Sequence, residues 1–93
     1  MFQVNEYFEG KVKSIAFKNN SDSATVGVMA AGEYTFSTSS IELMTVTSGS
    51  MQIKLPDTNE WQSIANTETF RVEASQSFDV KVDADTSYLC VYL

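Results

Sequence analysis

Ninety-three residues, 43% of them hydrophobic and 12% aromatic, suffice for one small core, which excludes both a disordered chain and a multidomain one. A formal charge of -6, six basic residues against twelve acidic, leaves no stripe of Lys and Arg to release phosphate counterions, and so excludes nonspecific duplex nucleic-acid binding. With no histidine the chain lacks the usual imidazole ligand for zinc, copper, iron or nickel, and neither metal nor cofactor is expected.

The opening run Met1-Phe2-Gln3-Val4-Asn5-Glu6 has no charged and apolar halves of a signal peptide, and no apolar stretch approaches a membrane span, so a cytoplasmic location is expected. Residues 11–18 are the first expected strand, with Lys11, Lys13, Ile15 and Phe17 sharing a face. The turn Asn19-Asn20-Ser21-Asp22-Ser23 ends it, and strands follow at 24–30 and, past Ala31-Gly32, at 33–38. One helical turn fits at 39–43.

Further strands are expected at 42–48 and 51–55, separated by Ser48-Gly49-Ser50. Met51, Ile53 and Leu55 alternate with Gln52 and Lys54, so one face is buried. Beyond Pro56-Asp57-Thr58-Asn59 come strands at 61–64, 69–72 and 77–82, where Phe78, Val80 and Val82 oppose Asp79, Lys81 and Asp83. The turn Asp83-Ala84-Asp85 leads to a last strand at 86–93, in which Cys90, without a partner for a disulfide, reads as a buried, inert thiol. Short strands at close spacing and no amphipathic helix predict an all-β fold, one barrel or jelly-roll sandwich over 1–93.

Gly32-Glu33-Tyr34-Thr35-Phe36-Ser37-Thr38, then Glu42 and Gly49, resembles the first motif of the cupins, with hydroxyls and Phe36 where that family has its metal-binding histidines. A fuller resemblance spans the chain. The runs Asn5-Glu6-Tyr7-Phe8, Gly10-Lys11-Val12-Lys13-Ser14-Ile15, Val26-Gly27-Val28-Met29, Gly32 to Thr38, Met44-Thr45-Val46 with Ser48-Gly49, and Thr86-Ser87-Tyr88-Leu89-Cys90 with Tyr92-Leu93 resemble the pyrimidine/purine nucleoside phosphorylases, a family of short bacterial cupins. The chain departs from that family's pattern around Asn66-Thr67-Glu68 and Val72-Glu73-Ala74, and at Val91, where relatives have Arg.

The resemblance implies metal-independent phosphorolysis of purine and pyrimidine ribonucleosides to free base and ribose 1-phosphate, through a transition state with oxocarbenium character. Such a site must hold an anion, grip ribose hydroxyls and support the leaving base. Lys11 and Lys13 are the candidate phosphate clamp; the alternative is that both face solvent and protect an edge strand. Glu42 and Glu33 are the candidate catalytic carboxylates, able to accept hydrogen bonds from vicinal hydroxyls and to stabilise charge on the sugar, or else charges flanking a turn.

Tyr34, Phe36, Thr38 and Tyr88 are the candidate nucleoside contacts, because an aromatic face stacks on any base, although a small domain also needs its rings for the core. The acid for the departing base is a tyrosine, a carboxyl of raised pKa, or water. Nucleoside and inorganic phosphate are the expected partners, and a homodimer the expected assembly. The competing readings are a histidine-free cupin that binds a small sugar or nucleotide without turnover, and a plain dimerisation unit.

Overall fold

The computed structural model describes all 93 residues and contains ten strands, one 3-10 turn and no α-helix. In chain order the strands are β1 (Val4–Tyr7), β2 (Val12–Asn19), β3 (Asp22–Met29), β4 (Gly32–Ser37), β5 (Glu42–Ser48), β6 (Met51–Lys54), β7 (Gln62–Ile64), β8 (Thr69–Val72), β9 (Ser77–Val82) and β10 (Thr86–Tyr92). They form two antiparallel sheets, one ordered β1-β2-β3-β10-β5-β8 and the other β4-β9-β6-β7. No ladder joins the two, so the fold is a jelly-roll sandwich whose barrel stays open. Within each sheet single bonds carry the ladders one rung past the strand ends: Thr38 N–H donates to Gln76 O at 2.8 Å beyond β4 and β9, and Ala30 N–H to Lys11 O at 2.8 Å beyond β2 and β3.

Alternation places the core. Val12 and Met29 from β2 and β3, and Met44 and Val46 from β5, meet Met51 and Ile53 from β6, Ile64 from β7, and Phe78, Val80 and Val82 from β9, in one cluster of 15 buried residues. Each such aliphatic or aromatic side chain contributes about 1.5–3 kcal/mol when fully withdrawn from water. Polar residues alternate with them, so that Asp79 and Lys81 lie half-exposed between the buried Phe78, Val80 and Val82.

Turn chemistry sets the register. Asn19 pairs with Asp22 around Asn20, whose φ of 60° is a left-handed conformation that Asn tolerates well, and a two-residue hairpin results. The expected helical turn at 39–43 is absent, because Glu42 and Leu43 already belong to β5. The only helical turn lies elsewhere, at Phe8–Gly10, and it is left-handed: φ is 52° at Phe8, 59° at Glu9 and 88° at Gly10. Lys11 N–H closes it onto Phe8 O at 3.2 Å, which leaves Lys11 ahead of β2 rather than within it. The preceding β1 was not expected; it is short, mostly exposed, and held by its pairing with β2 from Val4↔Ile15 to Tyr7↔Val12.

Candidate active site

A cavity of about 380 Å³ opens between the sheets. Its polar floor comes from the larger sheet. Along β10, Tyr88, Cys90 and Tyr92 point inward, and β5 sets Met44 opposite Cys90 and Glu42 opposite Tyr92. On the far side of β10, Tyr88 stands opposite Gly27 of β3, and Gly27 in turn opposite Ser14 of β2. The missing side chain of Gly27 lets the tyrosine ring lie across β3 toward Ser14: a Cβ there would sit 2.5 Å from the Tyr88 hydroxyl.

Aromatic rings make the opposite wall and the rim. Phe36 of β4 and Phe78 of β9 line the cavity with centroids 5.8 Å apart, and Phe8 packs edge-on to Phe36 at 5.5 Å. Tyr7 and Phe8, both partly in solvent, border the opening. The left-handed turn is what aims the Phe8 ring at this wall, since an extended continuation of β1 would carry it past.

The floor is a hydrogen-bonded set of weak acids. The Cys90 thiol donates to Glu42 Oε1 at 3.4 Å, Thr25 Oγ1 and the Tyr92 hydroxyl share a bond of 3.0 Å, and Asn5 Nδ2 donates to Ser14 Oγ at 3.5 Å. Burial raises the Glu42 pKa above its ordinary 4.5, a shift that the thiol bond only partly offsets. Burial likewise pushes the Tyr88 hydroxyl up to about 12, with a smaller opposing effect from its bond to Ser14. The Cys90 thiol and the Tyr92 hydroxyl also rise, by desolvation first and the nearby carboxylate second for the thiol. A half-buried carboxyl that holds its proton more tightly than usual, among hydroxyls and beside an aromatic wall, is suited to proton donation.

The expected site residues divide. Glu42, Phe36 and Tyr88 line the cavity together. Glu33 lies on the outer face of β4, where Lys81 Nζ stands 3.8 Å from its carboxylate. The ring of Tyr34 is buried between Phe8 and Phe36, and its hydroxyl donates to Ala30 O at 2.6 Å. Thr38 is buried too, and it ties the strand ends together by donating to Glu73 O at 2.7 Å and accepting from Gln76 N–H at 3.0 Å.

Lys13 and Ile15 do share a face, but it is the outer one; Val12 and Ser14 take the inner one, and Lys13 Nζ lies 3.5 Å from Glu6. Lys11, in the turn, is exposed as well and does not line the cavity. Tyr7, Phe8, Ser14, Cys90 and Tyr92 join the lining without having been singled out as site residues. For Tyr92 a signal existed, since it shares a strand face with Tyr88.

The family model for pyrimidine/purine nucleoside phosphorylase matches residues 2–92. The chain belongs to that family. A pyrimidine/purine nucleoside phosphorylase of Alcanivorax borkumensis is 56% identical over 92 residues, which cover 99% of this chain and 98% of the relative. The crystal structure of a protein of unknown function from Vibrio parahaemolyticus, 41% identical, superposes with a TM-score of 0.96 over 100% of this chain and 99% of that one. At the level of fold alone, hydroxypropylphosphonic acid epoxidase of S. wedmorenis, 10% identical, matches with a TM-score of 0.80 over 99% of this chain and 55% of its own. Within the phosphorylase family, then, this chain's cavity combines one carboxyl, several hydroxyls and an aromatic wall. Nowhere do three His, Cys, Asp or Glu side chains converge as a metal would require.

Proposed function

We propose that the chain cleaves purine and pyrimidine ribonucleosides with inorganic phosphate in the cavity between its sheets, with Glu42 as the acid that serves the leaving base. The observation that carries this is the carboxyl of Glu42, half-buried and bonded by the Cys90 thiol at 3.4 Å on the cavity floor. A phosphate oxygen bonds to the anomeric carbon as the bond from that carbon to the base nitrogen breaks, and the electron pair leaves with the base. Glu42 gives a proton to the base and recovers one from the phosphate hydroxyl, so the carboxyl ends as it began. The rings of Phe36 and Phe8 hold the base by its π surface, which every nucleobase has; this fits a broad base range.

Free base should appear from inosine or uridine only when phosphate is supplied, and chelator should leave the rate unchanged. Absence of base release from any common nucleoside at high protein concentration overturns the proposal; heat stabilisation by a nucleoside that is never consumed points to a binding module instead.

The same reading takes the protein as a cytoplasmic homodimer. Its one cysteine makes no disulfide, as suits a reducing compartment. Val4, Ile15, Val26 and Leu89 form a continuous row across four adjacent strands on the outer face of the larger sheet, with Val4 64% and Val26 42% exposed. A second copy seated on that row supplements a small core. Light scattering of the native chain and of Val26→Lys tests it: a dimer that the lysine splits is expected, and a native monomer overturns it.

A further inference from the structure

The cavity that receives the phosphate holds no cation. All six basic side chains of the chain lie elsewhere. Lys13 is beside Glu6, Lys54 beside Asp79, Lys81 beside Glu33 and Arg71 beside Glu73; Lys18 donates to Ser23, and Lys11 projects from the turn before β2. The only carboxyl in the lining is that of Glu42. Facing it from β10 are Cys90, Tyr88 and Tyr92; Ser14 comes from β2, Phe36 and Phe78 from the smaller sheet, and Tyr7 from the end of β1.

Ser14, Phe36 and Phe78 bring no charge, and the thiol and both tyrosines of β10 are held protonated by burial. A phosphate dianion beside an ionised Glu42 would therefore place three negative charges in a half-enclosed, weakly polar space with nothing to balance them.

We infer that this site binds phosphate as its monoanion, and only while the Glu42 carboxyl carries its proton, with hydroxyls in place of the usual cations. The inference rests on the phosphorylase reading for its ligand, and it adds the ligand's protonation state. The donors border the cavity: Ser14 and Tyr88 bond each other and Tyr92 bonds Thr25, bonds that these hydroxyls exchange for phosphate oxygens by turning, and a protonated Glu42 adds another donor. The step balances with the monoanion bound: phosphate gives one hydroxyl proton to the base, through Glu42, and its second stays on the sugar phosphate product.

The test is direct binding of inorganic phosphate, followed by titration calorimetry between about pH 6 and about pH 9 for the native chain and for Glu42→Gln. Native affinity should fall by more than tenfold for each pH unit once both phosphate and Glu42 lose protons, approaching about a hundredfold per unit. Glu42→Gln, which keeps a neutral group of the same shape, should fall by only about tenfold per unit, reflecting phosphate alone. Sulfate, a dianion throughout this range, should bind neither protein.

Phosphate affinity that is flat or rises with pH, an unchanged slope in Glu42→Gln, sulfate binding as tight as phosphate, or no phosphate binding at any pH each overturns the inference. The predicted slopes in a protein that releases no base from any nucleoside would sustain the inference for the site and refute the phosphorylase reading instead.

Discussion

The ring of Tyr88 lies on the backbone of Gly27, its antiparallel partner across β3 and β10, so closely that no larger residue fits beneath it. A Cβ at Gly27 would meet Tyr88 Oη at 2.5 Å, Tyr88 Cζ at 2.6 Å and Lys13 O at 2.8 Å, the last being backbone that cannot swing aside. Gly27→Ala is accordingly expected to cost about 1–3 kcal/mol, seen as a fall in Tm of about 5–20 °C for a domain of this size. Phosphorolysis should drop with it, because Tyr88 loses its place on the cavity floor. Unchanged melting would show that the strand relaxes freely.

Glu42 should have opposite effects on activity and stability. Its folded pKa is raised, so it contributes most to stability below its ordinary 4.5, and that contribution is lost as pH rises through the folded pKa. Glu42→Gln, which never ionises, is therefore expected to melt above the native chain at neutral and alkaline pH, with the gap closing in acid. The same variant should lose kcat by about 100- to 10,000-fold, as removal of a general acid does. Thermal scans across pH, paired with initial rates, read both effects; a melting gap that widens in acid would contradict the assignment.

Phe8 is 41% exposed and rests edge-on against Phe36 at the rim. Phe8 also covers the buried Tyr34 ring at 4.9 Å, so Phe8→Ala should cost about 0.5–1.5 kcal/mol of stability. Loss of a stacking face worth about 1–3 kcal/mol should raise KM about 5- to 150-fold for purine and pyrimidine nucleosides alike, with kcat nearly unchanged. Steady-state kinetics on inosine and uridine decide it. An effect confined to one base class would place the ring beside a base edge rather than its face.

Lys13 and Glu6 are a solvent-exposed pair at 3.5 Å, a contact of the kind that contributes about 0–1 kcal/mol. Lys13→Gln should leave the KM for phosphate within about twofold of the native value. A tenfold rise would return that lysine to the anion site.

Much of the fold was legible in the residue pattern, and the reasons are local. The bounds of β5, β8 and β9 agree with expectation, and turn residues close β5 at Ser48-Gly49-Ser50 and β9 at Asp83-Ala84-Asp85. Nothing of that kind marks β1, whose four residues are mostly exposed and depend on β2 for their conformation.

In the site, Glu42 could be found through the resemblance to the cupin motif, in which a Glu precedes a Gly as Glu42 precedes Gly49. Lys13 misled because alternation tells which residues share a face but not which face is inward. On β10 both faces are apolar, Leu89 and Val91 against Tyr88 and Cys90, so no pattern distinguishes cavity from exterior. Phe8 reached the rim through three successive positive φ angles, which no periodicity announces for Phe or Glu.

That left-handed turn also divides the labour of the molecule. The acid and the hydroxyls sit on paired strands inside the sandwich, while Tyr7 and Phe8 sit at and just beyond the end of an edge strand, outside the core. Anyone wishing to narrow the range of bases accepted should therefore graft new rims between Tyr7 and Lys11, and leave the machinery beneath them alone.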